Sequence, residues 1–316
     1  LYNANSLRRL KVIDLAYGSQ PYGVVLAADA SRAWVAGQAI GQLFEVDLRT
    51  GAVQILHTFG HGLRGLALSA DGQALLATRF RSTDAGAEVH RVDLVSGQVA
   101  TISLQLDPGE DREDSGRGVP NYLSQVVISP DGQSAWVPSK KDNIERGLAR
   151  DGQPLTFENT VRTIVSQIDL TKGLERIEHR VDINDRDMLQ ASVYSPLGDL
   201  LFVAAQGSHS VEIINAYTGA HVTSINHVGA APQGLAMHPN GTLYVHNFLQ
   251  RSVVSYDVSE LLQQGTGTVN RLDVLQTVEQ EALAPDVLKG KQLFYHAGSA
   301  LMSRDGYLSC ASCHLD

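Results

Sequence analysis

The chain is 316 residues long, with 43% hydrophobic and 19% charged residues and 29 glycines. That composition excludes wholesale disorder, collagen and a disulfide-stapled miniprotein, and it suits a globular fold rich in tight turns. Acidic residues exceed basic ones by 34 to 25, a formal charge of -9 that removes the electrostatic basis for nucleic-acid binding, and no apolar run is long enough to span a bilayer.

Along the chain, an apolar stretch followed by a turn recurs five times: VVLAADA (Val24 to Ala30), LALSADG (Leu66 to Gly72), VVISPDG (Val126 to Gly132), SVYSPLG (Ser192 to Gly198) and LAMHPNG (Leu235 to Gly241). Each copy leads into a second strand, such as Ala33 to Ala36, Ala135 to Pro138 or Leu201 to Ala204. A third follows, such as Leu43 to Leu48 or Ser210 to Asn215, and then a Gly-containing turn and a fourth, such as Ala52 to Leu56 or Ala220 to Ile225. Four antiparallel strands make one propeller blade. The first two copies, and the last two, stand about 40 to 45 residues apart, the period of such a blade. The predicted class is therefore mainly β: a β-propeller with five blades visible and six or seven expected in the complete ring, because closure removes exposed strand edges.

Residues 1 to 20 resemble the outer strands of a further blade. The longer repeat intervals carry two insertions, the acidic run Asp107 to Gly118 and a polar stretch from Lys140 to Thr160. The first offers several carboxylates, a weak calcium signal that lacks the alternating order of a calcium loop; a solvated loop is the plainer reading. Gly60 to Gly65 matches G-x-G-x-x-G but precedes a strand rather than a helix, so it reads as a link between blades. Trp34 and Trp136 occupy matching second-strand positions and are expected in the core. After the last blade, Val287, Gly290, Leu293 and Phe294 recur at helical spacing, which predicts a short helix that either covers one side of a porphyrin or docks on the propeller. The expected domains are a propeller over 1–281 and the start of a haem domain over 282–316.

Both cysteines fall in one pentapeptide, Cys310-Ala311-Ser312-Cys313-His314. C-x-x-C-H is the covalent haem attachment pattern: two thiols add to the vinyl groups on one edge of haem c, and the next residue places an imidazole under the iron. His314 is then the proximal ligand, and Met302 or His296 the candidate distal one. A redox dithiol or half a zinc site is the alternative; the first wants a thioredoxin-like context and the second another ligand pair. Covalent haem implies a periplasmic or exported protein, and a signal peptide, if one existed, has been removed. The sequence stops two residues past His314, where a self-contained cytochrome has further helices, so a longer parent chain is expected.

Leu243-Tyr244-Val245-His246-Asn247 and its relatives resemble the YVTN-type repeats of bacterial propellers. Residues 290–295 (GKQLFY), 302–309 (MSRDGYLS) and the CASCH motif are similar to the entry to the first haem of the di-haem cytochrome c peroxidase and MauG-like family, and the insertion Ser139 to Arg162 shares in that likeness. The resemblance implies a peroxidase-like oxidoreductase or an electron carrier served by a small periplasmic cytochrome or copper protein. Only Cys310, Cys313 and His314 carry over, since the family's second haem motif has no counterpart in this sequence. A propeller that binds a protein or small ligand without redox chemistry is the competing reading.

Overall fold

A computed structural model describes residues 1–3, 6, 8–83, 86–265 and 267–315, with the backbone alone described at residue 157. Alternating apolar residues form strands, and the strands group by fours. Blade one contains β1 (Pro21–Leu26), β2 (Arg32–Gly37), β3 (Gln42–Asp47) and β4 (Val53–Thr58); blade two contains β5 (Leu63–Leu68), β6 (Ala74–Arg79), β7 (Ala87–Asp93) and β8 (Val99–Leu104). Blade three is built on β10 (Val127–Ile128), β11 (Ser134–Asp142), β12 (Val161–Asp169) and β13 (Leu174–Glu175), with β9 (Val119–Asn121) and β14 (Val181–Asp182) extending it. Blade four contains β15 (Leu189–Tyr194), β16 (Leu200–Ala205), β17 (Ser210–Asn215) and β18 (His221–Ile225). Blade five contains β19 (Pro232–His238), β20 (Thr242–Asn247), β21 (Ser252–Asp257) and β22 (Asn270–Gln276). Neighbouring strands within each blade run antiparallel, in chain order.

Blades stack because the middle strands are apolar on both faces. Successive side chains on a strand point to opposite sides, so in β16 Leu201 and Val203 pack toward blade three while Leu200 and Phe202 pack toward blade five. In β11, Ala135 and Val137 meet blade two and Trp136 meets blade four. Trp34 joins Leu43, Leu63 and Leu75 between blades one and two. Both tryptophans are fully buried, as expected of core packing.

The first strands succeed one another around the axis, where the blades converge and side chains run out of room. A Cβ on Gly23 would lie 2.1 Å from the Arg64 carbonyl oxygen, and one on Gly65 2.6 Å from the Gln125 Cα. Glycine is what lets adjacent inner strands approach this closely.

Two expectations are corrected. The described part of residues 1–20 forms no strands of a further blade: it carries an isolated bridge between Tyr2 and Arg9 and lies against blade one, where the Lys11 ammonium donates to the Arg49 and Thr50 carbonyls. The second insertion does not begin at Lys140, because β11 continues to Asp142 and pairs with β12 as far as Val161. Lys140 and Lys141 are consequently buried strand residues. The G-x-G-x-x-G run links β4 to β5, as read, and Gly60 and Gly62 take up positive φ there.

Two short helices, α1 (Phe157–Thr160) and α2 (Ser259–Gln264), cap insertion and blade edges; α3 (Pro285–Phe294) follows blade five. Pro285 stands in the first turn of α3, where its missing N–H costs nothing.

Candidate functional site

The carboxyl-terminal segment crosses one end of the propeller, the end formed by the connections between second and third strands. It enters over blade five, where Gln292 Nε2 on α3 donates to the Leu249 carbonyl at 3.1 Å and the Lys291 ammonium sits 4.6 Å from the Phe248 ring centre. None of the α3 residues is fully buried, and Leu288, Lys291, Gln292, Leu293 and Phe294 are half-buried. On blade four, the His296 ring stacks on His209 with centres 4.3 Å apart and planes 13° from parallel, and the Ala297 N–H donates to the Gly207 carbonyl at 2.9 Å. The end of the segment reaches blades three and two. Lys140 Nζ donates to the Ser312 carbonyl at 2.7 Å, and Arg81 Nη2 to that of Leu315 at 3.0 Å.

CASCH lies in this last stretch, on a 3-10 turn over Cys310–Ser312. The Cys313 and His314 N–H groups both donate to the Cys310 carbonyl, at 3.3 and 3.0 Å. Besides Lys140, a buried carboxylate holds the turn from below. Asp187, just before β15, is 1% exposed; its Oδ1 accepts from Ser312 Oγ at 2.6 Å and its Oδ2 from the Ser309 N–H at 3.1 Å. Ser309 N–H also reaches Ser312 Oγ at 2.9 Å, closing the turn on itself.

This anchoring sorts the motif by chemistry. Ala311 and Ser312 are buried, while Cys313 and His314 are exposed and Cys310 is half-buried. Both cysteines are free thiols. Desolvation pushes the Cys313 thiol above its ordinary pKa, against the opposing pull of the Lys140 ammonium, so it is protonated at neutral pH. Burial likewise pushes the Asp187 carboxyl up, opposed by its bonds to Ser309 and Ser312 and by Lys140. Lys140 itself is held by Asp142 at 3.0 Å and by the Tyr122 ring, which stacks on Phe80.

The other candidates separate from the turn. Met302 is 49% exposed on the loop between His296 and the motif. His296 is committed to its stack on His209, whose pKa falls to about 4 through burial first and the neighbouring His296 and His227 second. Four carboxylates of the Asp107 to Asp114 run are engaged by cations: Asp107 with Lys141 and Arg180, Asp111 and Glu113 with Arg146, Asp114 with Arg112. Among the described residues, no three His, Cys, Asp or Glu side chains converge in a way that could hold a metal ion.

Asp187, Lys140 and His209 were not singled out from sequence. Asp187 lies 122 residues from Ser309, and nothing local marks it among the other acidic residues of its loop.

No family model and no curated protein sequence matches the chain. Solved structures do. One from Desulfotomaculum acetoxidans, described as functionally unknown, is 12% identical with a TM-score of 0.57, over 86% of this chain and 74% of that one. The Cps50 (Swd1) β-propeller domain of Myceliophteria thermophila is 15% identical with a TM-score of 0.56, over 83% and 73%. Kuenenia stuttgartiensis hydrazine synthase is 18% identical over 85% and 90%, with a TM-score of 0.48. At these identities the first two matches speak for the fold alone.

Proposed function

We propose that the chain is a periplasmic c-type haem redox protein, in which the propeller over 1–281 is the platform and residues 282–316 the entry to a haem domain. Cys310 and Cys313 would carry haem c through thioether bonds, and His314 would be its proximal ligand. The haem, when bound, supplies an iron that takes up and gives back one electron.

The supporting observation is the division within CASCH. The two spacer residues are buried against the propeller, whereas the half-buried Cys310 and the exposed Cys313 and His314 remain available, both cysteines as free thiols. A residue set of this kind fits the group, and it fits the alternatives less well. A catalytic dithiol depends on a lowered thiol pKa, whereas desolvation raises that of Cys313. A zinc centre needs further ligands, and none converge among the described residues.

The likeness of residues 285–316 to the di-haem peroxidase and MauG-like family supports a redox role, as a peroxidase-like oxidoreductase or an electron carrier. A small periplasmic cytochrome or copper protein would be the partner. His296 or Met302 would compete for the distal position; the Met302 side chain is exposed, whereas His296 would first have to leave its stack on His209. The test is a pyridine haemochrome spectrum of protein exported through a haem-maturation system. One covalently bound haem per chain is expected, with loss of the signal in Cys310→Ala/Cys313→Ala. Equal signal in wild type and double variant would refute the assignment.

A further inference from the structure

We propose that Asp187 is the positioning residue of the haem-attachment turn. It acts through Ser309 and Ser312 to hold Cys310, Cys313 and His314 in one orientation on the propeller, and the proposal rests on the haem reading of CASCH given above.

Four observations carry it. First, one carboxylate makes two separate grips on the turn, an oxygen for each: Oδ1 takes the Ser312 hydroxyl and Oδ2 the Ser309 N–H. Two bonds to a rigid fork fix direction as well as distance. Second, Asp187 is buried without an ion pair among the described residues. A carboxylate in that state is costly, so a fold gains nothing from it except the specific contacts it makes. Third, the surroundings are shaped around it. The Asp187 N–H donates to Ser208 Oγ at 2.9 Å, the Gly207 N–H donates to the Asp187 carbonyl at 3.1 Å, and a Cβ on Gly207 would lie 2.0 Å from Oδ2. Gly207 leaves the space that the carboxylate fills. Fourth, the residue belongs to the propeller and the turn to the tail, so the grip joins the two modules at the point where the chemistry is attached. Lys140 adds a third hold on the same turn, at the Ser312 carbonyl.

The test compares the full chain with Asp187→Ala, the near-isosteric Asp187→Asn and Gly207→Ala, which keeps the charge but displaces it. Amide hydrogen exchange is followed at 309–314 and, as reference, along β15 and β16. In apo protein, exchange at 309–314 is expected to rise roughly tenfold or more in Asp187→Ala, as for loss of a charge-assisted hydrogen bond. A smaller rise is expected in Asp187→Asn, whose amide still accepts from Ser312, and a similar rise in Gly207→Ala, with β15 and β16 unchanged in all. In matured protein, the variants are expected to show broadened haem electron paramagnetic resonance signals at unchanged haem content. Unaltered exchange at 309–314, or a rise spread evenly over β15 and β16, would overturn the positioning role. Absence of haem from the matured wild type would overturn the haem reading instead, with the apo exchange result still deciding whether Asp187 holds the turn.

Discussion

His209 and Asp187 hold the same tail segment to the same blade, yet burial moves their pKa values in opposite directions. The His209 imidazole is neutral in the folded state, its pKa lowered to about 4 by burial and by His296 and His227. Releasing the tail removes His296 and its share of that burial, so the released state binds more protons on the acid side and docking weakens as pH falls toward about 4. Asp187 has its pKa raised by burial, while its bonds to Ser309 and Ser312 pull it down and so favour the charged form that grips the turn. The protection factor of the Ala297 amide, its exchange rate relative to the intrinsic rate at each pH, is expected to fall on the acid side in the wild type, since that amide donates to Gly207 beside the histidine stack. In His209→Phe, which keeps a ring to stack on His296 without its titration, that loss of protection should shrink; an identical profile would show that His209 does not govern docking. Cys310, Cys313 and His314 were legible at this scale because their chemistry is local in sequence. Asp187 and His209 were not, because each gains its meaning from a residue more than 80 positions away that only the fold brings near.

The blade strands were legible because two-residue periodicity and a turn after the first strand repeat together. The middle strands also show why the blades need one another. Trp136 on β11 is fully buried among Val165, Leu189, Leu201 and Val203, so Trp136→Ala should cost about 3–5 kcal/mol by chemical denaturation. Val24→Ala on β1, where the side chain is 62% exposed, should change stability by less than about 0.5 kcal/mol. Comparable losses at both positions would contradict the assignment of the interblade core. The ends of β11 and β12 were harder to read. Lys140-Lys141-Asp142 has the composition of a solvated loop, and it continues the strand because Lys141 finds Asp107 and Asp182, and Lys140 finds Asp142 and Ser312. Buried charges with distant partners erase the apolar signature on which strand reading depends.

Across the molecule, the propeller is more than a neighbour of the carboxyl-terminal segment, which touches blades five, four, three and two in turn. A ring of blades presents many loops at one end, and here those loops supply the anchors for a turn whose two spacer residues point inward. The repeat made that architecture readable, while the path of the tail across it depended on contacts that no periodicity encodes. The account stands most directly on intact-mass and peptide mapping of protein matured in a haem-loading periplasm. It predicts one added haem, localised to the peptide containing Cys310 and Cys313, with neither thiol open to alkylation. An unmodified polypeptide in which both thiols alkylate would contradict it.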